Sequence, residues 1–460
     1  MRIVVCMLLM VLTLVSCSPA VKKNKKAVFF GGQVIQPTSN FLTLYQGNNI
    51  FSDTLFLDAD RRFQKEFDSL QPGVYKLEHL PEFQNVLLEA GDSLWARFNA
   101  IEMTASLVYS GRGATKNNFL MELQLNQERE NRFLSSKYSL SSQAFNRLID
   151  SLLIEKKRQW IKMDSLNTLS PIAQKITQAA YIYSYASIRE RYALFRGAQW
   201  SAEERTIFFD FRRYLNLSDT DLAFFDPYVN YLLNYINNEA LTPEQNYMQQ
   251  KESTAYNIKR LEVIDEHIGG SLLRNNLARA IAYEELLRFE NHEEHDLFLQ
   301  YYATVNSSPD YFSEVLTFHN DITQMQKGKK IAAIELQNRK GETLSSDAIW
   351  DDRPTVVYFW SQNKMNHYKS TLKKLAVLQE TYKKYRFIGI CLQPFNEVVG
   401  QVQELMAIAP DDQFAMLNYE TASQVWMITL LNKAIVLNPN GIIKEGFGNF
   451  LDPEFDLLLK

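Results

Sequence analysis

The sequence predicts a multi-domain α+β protein, with an antiparallel β-sandwich first, an all-α region in the middle and an α/β domain last. Three patterns predict it. Residues 27–113 hold short runs rich in Val, Leu, Phe and Tyr, broken by Gly, Asn, Asp or Pro at intervals of about ten residues. Residues 114–326 carry apolar residues at helical spacing behind well-marked helix starts. Residues 327–460 alternate strand-like with helical runs and end in a hairpin pattern. A chain of 460 residues is too long for one ordinary core, and about two to four domains are expected. With 46% apolar, 13% aromatic and 22% charged residues, the composition is that of a folded chain.

The first 26 residues read as targeting rather than fold. Met1-Arg2 is a short positive start, and the apolar run "IVVCMLLMVLTLV" has signal-peptide length. Leu14-Val15-Ser16-Cys17 looks like a bacterial lipobox, so 1–16 is expected to be a signal peptide and Cys17 the lipidated residue. Acyl chains on one residue anchor stably, because each buried methylene contributes about 0.8 kcal/mol. Residues 17–26, with Lys22, Lys23, Lys25 and Lys26, form a polar tether. The expected location is the cell envelope, outside the cytoplasm, at the outer membrane or the periplasmic face of a membrane. Ser18, rather than Asp, follows the cysteine, which under enterobacterial sorting favours the outer membrane.

Within 27–113, "AVFFGGQVI", "FLTLYQ", "DTLFLD", "GVYKLEHL", "NVLLEAGDSLWARF" and "SLVYSG" are the expected strands, with a tight turn at Ala90-Gly91-Asp92. In the helical region, Ser170-Pro171 and Ser308-Pro309 place a cap before a first-turn proline. Ser201 with Glu204 has capping-box spacing, and Thr242-Pro243 with Gln245 combines both devices. "ENHEEHD" holds His292 and His295 among carboxylates, but not at zincin spacing, and reads as a charged, solvated helix end or loop. Tyr181, Tyr183 and Tyr185 read as core and groove packing. No metal site and no cofactor is expected. The formal charge of −4 and the lack of a recognition motif argue against nucleic acid as a partner.

In the last region, "IAAIELQ" is a strand, Arg339-Lys340-Gly341 a turn and Thr355 to Trp360 a buried strand. A helix follows, marked by Tyr368, Leu372, Leu375 and Tyr382; then come the strand "YRFIGICLQ", the helix "NEVVGQVQELMAI", and the strands "KAIVLN" and "IIKEGFG". On "GETLSSDAIWDDRPTVVYFW", "LQETYKKYRFIGICLQ" and "KAIVLNPNGIIKEGFG", residues 327–460 resemble a thioredoxin-fold domain of the TlpA/ResA-like, membrane-anchored thiol:disulfide oxidoreductases. The whole layout of lipobox, β-rich part, helical middle and this domain last resembles a lipoprotein architecture of Bacteroidetes. In that group the β-rich part is often a domain of unknown function, and "YSGRGATKNNFL" fits it.

The resemblance implies a Cys-x-x-C at the start of the helix after Phe359-Trp360. Here Lys364 takes the place of the nucleophilic cysteine and His367 that of the resolving one. The family's cis-proline position falls on Asn432, where a cis bond would cost about 3 kcal/mol and a trans peptide is expected. Exchange needs a thiolate and a second thiol. Once Cys6 leaves with the signal peptide and Cys17 carries lipid, the remaining cysteine is Cys391, read as a small hydrophobe in a strand core. No catalytic residue is therefore assigned. The reading is a redox-inactive binding or scaffold module, anchored in the membrane and facing a protein or glycan partner of the envelope. The alternative is an oxidoreductase-family protein with residual or altered activity, with Lys364 and His367 as a possible new site.

Overall fold

The structure is a computed structural model that describes residues 27–47, 50–80, 82–196, 200–288, 292–362, 364–395 and 410–460. The signal peptide, the tether with Cys17 and the helix expected over 396–408 lie outside the described residues. The chain forms two compact units, Met1–Tyr247 and Met248–Lys460. The expected boundaries at 113/114 and 326/327 fall inside these units, close to where the chain changes between strand and helix.

In the first unit the strands are β1 Val28–Ile35, β2 Phe41–Gln46, β3 Phe51–Phe56 and β4 Arg62–Phe67, then β5 Gly73–His79, β6 Glu82–Leu88, β7 Ser93–Asn99 and β8 Val108–Arg112. They form two four-stranded sheets, ordered β4-β1-β7-β8 and β3-β2-β5-β6. Alternate residues from both sheets, such as Val28, Phe30, Leu42, Leu44, Leu77, Val86, Leu94 and Phe98, fill one buried cluster. Period-2 alternation puts these residues on one face of each strand. The expectation of a wholly antiparallel arrangement is corrected at one pair: β1 and β7 run parallel, in register from Phe29↔Ser93 to Ile35↔Asn99. Five intervening strands bring β7 back in the direction of β1. Gly32 makes the close approach possible, because a Cβ there would stand 2.1 Å from the Ala96 carbonyl oxygen.

Helices Ala114–Ser135, Ser142–Asn167, Pro171–Arg196, Ala202–Phe208 and Asp226–Glu239 follow. The local start signals act as expected at two of the three first-unit positions. Ser170 Oγ accepts from the Ala173 N–H at 3.2 Å, and Ser201 with Glu204 forms a complete capping box. Thr242-Pro243-Gln245 yields only a turn closed by the Thr242 N–H donating to Gln245 Oε1 at 2.9 Å, because no apolar run follows to pack a helix. Asn117, on the first helix, caps the sheet. Its side chain accepts from the Leu87 N–H at 2.7 Å and donates to the Leu87 carbonyl at 2.9 Å, so it pairs the outer edge of β6.

The three tyrosines do not share a face, since residues two apart point to opposite sides of a helix. Tyr183 packs edge-on against Tyr228, with ring centres 4.7 Å apart. Tyr181 and Tyr185, four residues apart, turn together toward the first helix and β6.

The second unit begins with helices Thr254–His267, Ser271–Leu286, His292–Val305 and Pro309–Gln324. The last is started by Ser308, whose Oγ accepts from the Tyr311 N–H at 3.4 Å. His295 corrects the solvated reading of "ENHEEHD": it is fully buried, 3.2 Å through Nε2 from the Arg288 carbonyl. Phe298, Leu299 and Tyr302 share its helix face, and that spacing carries it inward. The side chains of His292 and Glu293 lie outside the described residues.

A seven-stranded sheet follows, built from β9 Glu335–Gln337, β10 Thr343–Ser345, β11 Thr355–Trp360, β12 Arg386–Cys391, β13 Gln413–Met416, β14 Lys433–Asn438 and β15 Ile442–Asn449. Its order is β10-β9-β13-β12-β11-β14-β15. Central β11 pairs in parallel with β12 and antiparallel with β14, which β15 flanks. The Met365–Thr381 helix leaves the end of β11 and lays Tyr368, Leu372, Leu375 and Leu378 on the sheet. That is the thioredoxin-like arrangement expected for this region. Two strands go beyond the expectation: β10, just after the Arg339-Lys340-Gly341 turn, closes a hairpin on β9, and the four-residue β13 pairs in parallel with β12.

Candidate functional site

The candidate site lies where β11 and β12 end side by side. Their parallel register places Trp360 opposite Cys391, and the Leu392 N–H extends it by donating to the Trp360 carbonyl at 2.9 Å. Ser361 and Gln362 just past one end and Gln393 and Pro394 just past the other are therefore neighbours despite a separation of some thirty positions.

Lys364 occupies the N-cap of the Met365–Thr381 helix without a capping hydrogen bond from its side chain, and it is exposed. His367, in the first turn, is half-buried. Both of its ring nitrogens are enclosed and lack a hydrogen-bond partner among the described residues. Burial lowers its basicity below that of an ordinary histidine. Trp360 stacks on Tyr368 with ring centres 4.1 Å apart, and the Phe395 ring centre lies 6.2 Å from that of Trp360.

Asn432 precedes β14 and is engaged with β15. Its Nδ2 donates to Asn449 Oδ1 at 2.7 Å, and its carbonyl accepts from the Phe450 N–H at 2.7 Å. Next to it, Lys433 is buried under Phe447 with Nζ 4.4 Å from the ring centre, and it donates to the Met427 carbonyl at 2.8 Å.

Cys391 is the one thiol among the described residues, and it is wholly buried. A pair of glutamines covers it. Gln393 Oε1 accepts from the Ser361 hydroxyl at 3.1 Å and from the Gln362 N–H at 3.2 Å. Gln362 Nε2 donates to the Pro394 carbonyl at 2.6 Å and lies 3.6 Å from Cys391 Sγ. Burial pushes the thiol up to about 11, outweighing the hydrogen bonds that Gln362 and Gln393 offer its thiolate. At neutral pH only about one molecule in ten thousand then carries a thiolate, the form that attacks disulfides.

The structure thus brings Lys364, His367 and Cys391 to the ends of adjacent strands and sends the Asn432 side chain to β15. Gln362 and Gln393 were not among the expected site residues. Their signal was two glutamines at matching offsets past two strand-like runs, which acquires meaning only once those runs are paired in parallel.

No protein-family model and no curated protein matches the chain. Among solved structures, it is similar to a thiol-disulfide oxidoreductase from Bacteroides fragilis at 27% identity, over 28% of this chain and 93% of that one, with a TM-score of 0.22. It is similar to a putative thiol-disulfide oxidoreductase from Bacteroides vulgatus at 12% identity, over 30% and 96%, with a TM-score of 0.25. A thioredoxin-like protein from Bacteroides caccae matches at 10% identity over 50% of this chain and 92% of its own, with a TM-score of 0.29. These three similar structures, each matched over half of this chain or less, are a thioredoxin-like protein and two thiol-disulfide oxidoreductases, one of them putative, from Bacteroides.

Proposed function

We propose that the C-terminal domain is a redox-inactive, thioredoxin-like binding or scaffold module, in a lipoprotein held at the cell envelope through Cys17. The observation that supports it is the state of the strand ends. Lys364 and His367 stand where exchange needs two sulfurs, and the one nearby thiol, Cys391, is buried beneath Gln362 and Gln393. A buried, protonated thiol with no second thiol beside it cannot complete a mixed-disulfide cycle. A protein or glycan of the envelope is the partner class this reading assigns. The test is insulin reduction by the purified protein with dithiothreitol as electron source. The expected rate equals that of dithiothreitol alone, and reduction well above that rate overturns the proposal.

A second reading, altered rather than lost chemistry, draws on His367, whose two ring nitrogens are enclosed and unpaired one turn into the helix that Lys364 caps. It gives Lys364 and His367 a shared ligand. In that case a Lys364→Ala, His367→Ala variant loses whatever activity or binding the domain shows, while an unchanged variant removes the site.

A further inference from the structure

The first unit encloses a cavity of about 260 Å³ between β6, the Ala114–Ser135, Ser142–Asn167 and Pro171–Arg196 helices, and the segment from Phe225 to Asn230. Phe83, Met121, Tyr181 and Phe225 supply its apolar and aromatic walls. Its charges are already neutralised from within. Lys156 Nζ pairs with Glu130 at 2.9 Å, and Glu130 also accepts from the Tyr185 hydroxyl. Asp226 is held by Lys76 at 3.2 Å and by Asn85 Nδ2 at 3.1 Å. An ionic ligand would find no unpaired countercharge here and would lose its hydration for little return.

Neutral hydrogen-bonding capacity, by contrast, is left over. Asn85 Oδ1 is buried and has no partner. Tyr181 is only 5% exposed, and neither its hydroxyl nor the Gln124 side-chain amide has a partner among the described residues. An unpaired buried polar atom such as Asn85 Oδ1 is uncommon in folded proteins and marks a place where something else completes it, and the Tyr181 hydroxyl and Gln124 amide line the same cavity. Amide and phenol groups donate and accept, as sugar hydroxyls do, and aromatic walls suit the C–H face of a pyranose ring. The volume falls just below the roughly 300–1,000 Å³ of pockets for drug-sized ligands, which fits one sugar residue.

We infer that this cavity binds a neutral sugar residue through Asn85, Gln124 and Tyr181. The site lies in the first unit and is independent of the chemistry at Lys364 and His367, so it stands or falls separately from the insulin assay.

The test is saturation-transfer NMR on the full chain with glucose, galactose and N-acetylglucosamine. Glucuronate and a blocked neutral tripeptide serve as the competing chemistries. Saturable binding of at least one neutral sugar is expected, weakened about tenfold in Tyr181→Phe, Gln124→Ala with an unchanged melting temperature, as for the loss of two ordinary hydrogen bonds. If the double variant does not fold, Gln124→Ala alone, at a half-buried helix position, is expected to weaken binding several-fold. Absence of binding by all three neutral sugars, tighter binding of glucuronate or the peptide, or binding that the variants leave unchanged overturns the assignment.

Discussion

Replacing Gln393 with alanine removes the one acceptor shared by the Ser361 hydroxyl and the Gln362 N–H. The Ser361 hydroxyl is buried and loses an acceptor, so the cost is about 1–3 kcal/mol. The larger effect falls on Cys391, which loses part of its cover. Iodoacetamide is expected to label Cys391 very slowly in the native protein and at least tenfold faster in Gln393→Ala, measured by mass spectrometry; equal rates would show that the glutamines do not shield the thiol. Lys433 sets a second residue-scale expectation. Burial brings its amine down to about 7, with Glu445 opposing the fall, whereas an unfolded lysine titrates near about 10.4. Below about pH 7 both states hold the proton, and between about 7 and 10.4 the unfolded chain holds more. Stability therefore rises with pH across that window. Lys433→Met is expected to lose this rise, so the unfolding free energy of the native protein from urea titration should gain on that of the variant by about a few kcal/mol between about pH 7 and 10. Parallel free-energy curves would count against the shift.

Among the elements, β6 depends most visibly on a neighbour. Leu87 is fully buried, and Asn117 pairs both its N–H and its carbonyl. Asn117→Ala strands two buried backbone groups, each worth about 1–3 kcal/mol, and is expected to destabilise the first unit by about 2–6 kcal/mol in urea denaturation. A loss under 1 kcal/mol would mean that water reaches the strand edge. The β12 strand depends on an absence instead. A Cβ at Gly389 would sit 2.5 Å from the Tyr358 hydroxyl, which accepts from Gln413 Nε2 at 3.0 Å across the strand. That bond links β11 to β13 over the top of β12.

Across the whole molecule, the sequence was most legible where structure is local. The caps at Ser201 and Ser308 and seven of the first eight strands follow from residues within a few positions of one another, whereas β4, with the charged run RFQKEF, is not among the expected strands. What escaped is non-local. The parallel β1–β7 pair joins residues some sixty positions apart, and β13 is only four residues long, too short for its pattern to mark a strand. The Gln362–Gln393 contact exists only because β11 and β12 share a direction. His295 misled for a different reason, since Glu294 and Asp296 on either side of it are exposed while it turns inward. Lipidation also belongs to this scale. Cys17→Ser is expected to move the protein from the membrane pellet to the soluble fraction and to abolish metabolic palmitate labelling; retention of both would exclude Cys17 as the anchor.

The amide of Asn117 has one more consequence, for the behaviour of many copies together. By imitating one residue of a further strand, it occupies the hydrogen-bonding positions that another chain would need to extend the sheet at Leu87. Proteins tethered to one surface meet at high local concentration, where an open sheet edge invites stacking into insoluble arrays. If the proposed lipid anchor holds the protein at one surface, loss of this side chain should appear first as aggregation that grows with surface density.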